Sequence, residues 1–192
     1  MANPVILETH GGIGRIYSEC YQALPGCVFE KNPTKTAILV LQRPLWPVYE
    51  MPCELGLAIG LPTHLQPNFY DLDPYGDPWS VIKLVLRRID RESWIVVNDG
   101  LRNKAKTGSL WQVKSVAGMV QHFGSNIYHR YLDGCEWFLN ALCVDSRLKL
   151  GSFYGRYATA NITHYAARVT PAIDSDTSRS DIPLAGMVGG LS

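Results

Sequence analysis

The sequence predicts an α/β fold, a three-layer sandwich in which a mostly parallel sheet is closed by an antiparallel C-terminal hairpin. Three observations predict it. Short apolar runs alternate with longer stretches of helical period over residues 4–144, the pattern of consecutive βα units. Two alternating, aromatic-containing runs at residues 149–157 and 161–169 then follow one another with no helix between them. The 192 residues, 46% hydrophobic and 18% charged, suffice for one core without disulfide or metal staples.

The elements follow in order. Pro4-Val-Ile-Leu-Glu8 is a compact first strand, ended by the turn Gly11-Gly-Ile-Gly14. A helix is expected from about residue 15 to 24, where Pro25-Gly26 stops it. Cys27-Val-Phe-Glu30 is the second strand, and Asn32-Pro33 starts a helix as N-cap and first-turn proline. That helix runs to about Gln42, because Arg43 precedes Pro44. Residues 46–51 form a third strand and 53–61 a short apolar helix. Asn68-Phe-Tyr-Asp-Leu72 is the fourth strand, and residues 79–89 carry Trp79, Ile82, Leu86 and Ile89 on one helical face. Ser93-Trp-Ile-Val-Val97 is the fifth strand, followed by a polar loop at 98–108 and helices near 109–122 and 128–144. The final two runs form the hairpin, turning at Ala158-Thr-Ala160. A domain over residues 1–173 is expected, with a disordered, aperiodic tail at 174–192.

Eighteen basic residues against seventeen acidic ones give a net charge of +1, which argues against a strongly basic nucleic-acid binder and leaves room for a local patch. The cysteines Cys20, Cys27, Cys53, Cys135 and Cys143 form no CxxC pair, so zinc-ribbon and thioredoxin chemistry are not indicated. His122, His129 and His164 have no metal-ligand spacing. Met1-Ala-Asn-Pro4 lacks a basic leader, and no apolar run is long enough for a bilayer. A reduced, cytoplasmic protein with no membrane partner is the expectation.

Three constellations carry chemistry. In Glu8-Thr-His10-Gly-Gly12-Ile-Gly14, glycines at a strand-to-helix turn let a ligand approach the backbone, and Glu8 could meet an ammonium group. Glu30, with Lys31 beside it, ends the second strand, where a carboxylate can take both hydroxyls of an adenosyl ribose. Asp71-Leu-Asp73-Pro74-Tyr75-Gly76-Asp-Pro78 follows the fourth strand, in the crevice where open α/β sheets bind ligands. A structural turn is the bland alternative for the glycines and for this segment.

Five βα units closed by a hairpin resemble the Rossmann-like class I S-adenosylmethionine (SAM)-dependent methyltransferases, whose last strand is inserted antiparallel. The segment from Asp71 resembles the Asp-Pro-Pro-Tyr motif of methyltransferases that modify exocyclic amino groups. It is similar also to the Asp-Leu-Asp-Pro-Phe/Tyr-Gly-x-Pro segment of the tRNA guanine-N2 dimethyltransferases, matching at Asp71, Asp73, Pro74, Tyr75, Gly76 and Pro78. The resemblance implies SAM as cofactor, held by Glu8, His10, Gly12, Gly14, Glu30, Lys31 and Asp71. It implies methyl transfer to an amino group, with a nucleic-acid base among the acceptors. Asp73 and the Pro74 carbonyl would hydrogen-bond the amine, and Tyr75 would stack on its ring. Metal is not required. His10 departs from the family's glycine motif, and Glu50 or Glu54 is a candidate for adenine without fixed register. The tRNA enzymes carry a further C-terminal RNA-binding domain, which these 192 residues are not expected to include, so the acceptor stays open.

Two other readings stand beside this one. One is a SAM-fold protein that binds without catalysis, for example as an accessory subunit. The other is a nicotinamide-dependent oxidoreductase, disfavoured by the hairpin and by the lack of a Tyr-x-x-x-Lys pair. A partner subunit or a homo-oligomer is left open. Arg102, Lys104, Lys106 and Lys114 with Trp111 form a basic stretch that a phosphate backbone could use, against the alternative of a solvated loop.

Overall fold

The computed structural model describes residues 3–61, 65–74 and 76–172; the expected disorder from residue 174 onward lies outside them. Among the described residues the strands are β1 Ile6–Glu8, β2 Gly26–Glu30, β3 Val48–Glu50, β4 Phe69–Leu72, β5 Ser93–Asp99, β6 Leu148–Tyr157 and β7 Thr163–Pro171. They form one sheet in the order β3-β2-β1-β4-β5-β7-β6. β1 to β5 are parallel, and β7 lies antiparallel between β5 and β6. The chain order reverses between β1 and β4, which makes the carboxyl ends of these two strands the switch point where such sheets bind ligands.

The helices are α1 Pro33–Gln42, α2 Cys53–Ile59, α3 Trp79–Leu86, α4 Arg102–Lys106, α5 Ala117–Phe123 and α6 Tyr131–Asp145. α1 starts as its sequence dictates: Asn32 Oδ1 accepts from the backbone N–H groups of Thr34 and Lys35, satisfying two orphan donors of the first turn. Strand alternation then divides the apolar side chains between two faces. On one face Leu7, Phe29, Tyr70, Leu72, Ile95, Val97 and Tyr165 pack with Val81, Ile82 and Val85 of α3 and Leu139 and Cys143 of α6. On the other face Ile6 and Val28 pack with Tyr17, Leu39 and Trp46. Among the described residues this second cluster reaches β1 to β4, through Ile6, Val28, Val48 and Phe69. The outward residues of β5 and β7 stay half-buried, so the third layer covers about half of the sheet.

Four expectations are corrected. Residues 15–24 form only a π-helical turn, Tyr17–Tyr21, and both end tyrosines pack against Trp46. The polar loop at 98–108 contains the end of β5 and all of α4. The helix expected at 109–122 is broken into 3-10 turns Leu110–Gln112 and Lys114–Val116 before α5 begins. Tertiary bonds oppose a continuous helix there: Ser115 Oγ donates to Asp77 at 2.6 Å, and Lys83 Nζ donates to the Ser115 carbonyl at 3.4 Å. The helix expected from residue 128 begins instead at Tyr131, after the 3-10 turn Gly124–Tyr128. No helix among the described residues is long and apolar enough to cross a membrane.

Candidate functional site

The glycine turn is built from the end of β1. Gly11 N–H donates to the Phe29 carbonyl and Gly14 N–H to the Gly11 carbonyl. Gly12 and Gly14 take φ of 55° and 79°, a region that L side chains rarely enter. A Cβ on Gly11 would lie 2.6 Å from both Leu39 and Val28, so this glycine lets the turn settle onto α1. A Cβ on Gly12 would meet nothing within 4 Å, so its outer side is open.

Glu30 reaches the same turn from β2. One carboxylate oxygen accepts from Gly12 N–H at 3.1 Å and the other from Asn32 N–H at 2.8 Å. Each oxygen keeps a further lone pair for a ligand hydroxyl. Lys31 is exposed beside it. His10 bridges to α2: its Nδ1 lies 2.8 Å from Thr9 Oγ1 and its Nε2 lies 3.7 Å from Cys53 Sγ. Burial lowers the His10 pKa although Glu54, Asp73 and Glu30 favour its charged form.

Glu8 departs from the expectation of a carboxylate open to a ligand. It shares a face with Ile6, is 3% exposed, and is ion-paired with Nη1 of the equally buried Arg43. Burial pushes the Glu8 carboxyl up and Arg43 pulls it back. The Arg43 guanidinium also lies over the Tyr17 and Trp46 rings, 4.6 and 5.3 Å from their centroids. The pair thus supports the glycine turn from beneath.

The segment after β4 is tied on both sides. Thr9 N–H and hydroxyl donate to the Asp71 carbonyl, and Asp71 Oδ2 accepts from the Tyr21 hydroxyl at 2.8 Å. Burial raises the Asp71 carboxyl to about 6, partly offset by Tyr21. Asp73 is half-buried, and its Oδ1 accepts from Asn98 Nδ2 at 2.6 Å. The Pro74 carbonyl accepts from Gly76 N–H, and the Gly76 carbonyl accepts from Gly100 N–H at 3.1 Å, fixing the segment against the end of β5. Tyr75 lies outside the described residues.

Asn98 and Tyr21 are the residues that sequence reasoning missed. β5 continues the alternation of Ser93, Ile95 and Val97 inward and Trp94 and Val96 outward for two more residues, and this would have placed Asn98 beside Asp73. A cleft of about 480 Å³ opens next to this pair, lined by Tyr21, Asp71, Asp73, Asn98, Tyr154 and His164 among others. Its size suits a small organic group. Tyr154 of β6 stacks on Trp94 and also walls this cleft.

The crevice is acidic. Asp71 and Asp73 act on Glu8, and Glu54, Asp73 and Glu30 act on His10. An anionic pyrophosphate would meet repulsion here, and a cationic ligand attraction. No group of three or more His, Cys, Asp or Glu among the described residues is arranged to hold a metal ion.

No protein-family model matches the chain, and no curated protein matches it by sequence. Solved structures do match its shape. Trm1 from Pyrococcus horikoshii, in complex with S-adenosyl-L-methionine, superposes with a TM-score of 0.66 at 9% identity, covering 88% of this chain and 51% of that one. TYW2 from M. jannaschii, in complex with AdoMet, gives 0.55 at 14% identity, covering 88% and 69%. The 16S rRNA methyltransferase KamB gives 0.56 at 11% identity, covering 88% and 89%. The chain therefore spans about half the length of the Trm1 structure. The fold is the Rossmann-like α/β fold of these solved structures, and it includes the antiparallel hairpin read from the sequence.

Proposed function

We propose that the chain is a SAM-dependent methyltransferase acting on an aromatic amino group, with a nucleic-acid base as acceptor. One observation carries the reading: an acidic crevice at the switch point of a methyltransferase fold, with an open glycine turn on one side and Asp73 on the other. Neighbouring folds described with SAM bound support it. The charge of the crevice disfavours a nicotinamide dinucleotide.

The residues present fit the cofactor. Gly12 leaves an open backbone surface, and Glu30 has acceptor capacity for ribose hydroxyls beside that turn. His10 and Lys31 border the same side, and Asp71 adds negative charge. Bound SAM supplies an electrophilic methyl group on a positive sulfonium. Glu8 serves indirectly, through Arg43.

An aryl amine is a weak nucleophile because its lone pair is delocalised into the ring. Asp73, oriented by Asn98, accepts one N–H of the acceptor, and the Pro74 carbonyl accepts the other through its remaining lone pair. These two bonds localise the nitrogen lone pair and hold the amine in line for transfer. Tyr75 stacks on the ring, a role that rests on the sequence alone.

The test is calorimetric titration with SAM against NAD, followed by transfer of labelled methyl from SAM to mixed RNA and DNA. SAM should bind, and Asp73→Ala should lower kcat by about 10²-fold or more with SAM affinity kept. NAD binding without SAM binding overturns the cofactor. An Asp73→Ala protein with full activity overturns the role of that residue. SAM binding with no transfer to any acceptor favours the accessory-protein reading.

A further inference from the structure

We infer that the surface formed by α4, residues 109–116 and the β6–β7 turn binds the phosphate backbone of a single nucleic-acid strand and delivers a base to Asp73. The location rests on the methyl-transfer reading; the binding itself does not. A net charge of +1 conceals a polarised chain. Residues 100–172 carry nine Lys and Arg against three acidic residues, Asp133, Glu136 and Asp145, all of them on α6. Residues 100–132 and 146–172 carry no acidic residue at all. Both signs are normally interspersed on a soluble surface, so two long stretches of one sign mark an electrostatic footprint.

The fold brings part of this charge to the candidate site. α4 begins directly after β5, whose Asn98 holds Asp73. Residues 109–116 return to the same segment, where Ser115 donates to Asp77. Arg102 braces the β6–β7 turn: its guanidinium lies 3.8 Å over Tyr157 and 4.6 Å from Tyr128, and Nη1 donates to the Thr159 and Ala160 carbonyls. Its charge is used structurally. Lys104, Lys106, Lys114 and Arg156 are exposed, and no ion pair among the described residues engages them. Trp111, which falls between Lys106 and Lys114 in the sequence, is 69% exposed. An apolar indole costs free energy when left in water. Between lysines it makes a platform on which a base can stack while the cations follow the backbone. A nucleic-acid strand supplies an anionic backbone for the lysines and planar bases for the indole, and so fits both features.

The experiment is fluorescence anisotropy of a labelled 20-nucleotide mixed-sequence single strand, as RNA and as DNA, between 50 and 200 mM salt. The triple variant Lys104→Ala/Lys106→Ala/Lys114→Ala should bind at least tenfold more weakly at 100 mM salt. Its log K against log salt slope should be smaller by about 2, at roughly 0.7 per lost contact. Trp111→Ala should weaken binding roughly tenfold with the slope unchanged. SAM titration and thermal unfolding serve as controls that the variants fold. Unchanged affinity and slope in the triple variant overturn the proposal. So does equal competition by poly-glutamate together with an inert Trp111→Ala, which would mark an acidic-protein surface. Strand binding with these variant effects but without SAM binding would sink the methyltransferase reading and leave this surface standing.

Discussion

Glu8 shows how a residue's chemistry depends on the face its strand gives it. The sequence places an acidic residue at a strand end before a glycine turn, and the expectation is a group turned to ligand. Alternation along β1 instead puts Glu8 with Ile6 under α1, where Arg43 answers it. Removing one member of a buried ion pair leaves an uncompensated charge, at a cost of about 3–5 kcal/mol. Glu8→Gln should therefore lower unfolding free energy in urea by an amount of that order. Arg43→Met should do likewise, and Glu8→Leu/Arg43→Met should recover much of the loss. A Glu8→Gln protein with unchanged stability and weakened SAM binding would instead restore the ligand-facing role. Asn98 is the converse case. It reads as the first residue of a polar loop, yet one more step of strand alternation makes it the donor that holds Asp73.

At the scale of elements, legibility follows the range of the forces involved. α1 is written locally: an asparagine cap, a first-turn proline and an Arg-Pro stop. Asn32→Ala should cost about 1 kcal/mol, checked by chemical denaturation, and Asn32→Asp should restore most of it. β1, β2, β4, β5 and the hairpin are legible for the same reason, since each carries its own apolar run. Residues 109–122 were not, because Ser115 bonds across to Asp77 and Lys83, contacts that no local pattern announces. α4 was hidden by its composition. Arg102–Lys106 has five residues and one apolar side chain, Ala105, too few for a helical period to register. The crevice was legible as residue types after β1, β2 and β4. The cleft beside Asp73 was not, since it depends on Tyr21 from the first turn and on Tyr154 and His164 from the last two strands.

At the scale of the molecule, burial of carboxyl groups couples the site to pH. Asp99 ends β5 with no exposure and accepts from Leu101 N–H at 2.8 Å and from the Tyr131 hydroxyl. It thereby joins β5, α4 and α6 beneath the segment that holds Asp73. Burial raises its carboxyl to about 7, only partly offset by those hydrogen bonds, and Asp71 is raised to about 6 by the same cause. In an unfolded chain both titrate near 4. Between pH 4 and pH 7 the folded protein therefore binds more protons than the unfolded one. The stability these groups contribute is fully present below pH 4 and is lost as pH rises through their folded values. The slope cannot exceed about 1.4 kcal/mol per pH unit for each group. Urea unfolding should show stability falling from pH 5 to pH 7.5. Asp99→Asn, which keeps an acceptor for Leu101 and Tyr131 and cannot ionise, should flatten that fall and leave the protein relatively more stable at the alkaline end. If the two proteins keep parallel profiles across this window, Asp99 is ionised throughout, and the junction of β5, α4 and α6 holds a charge with its hydrogen bonds alone.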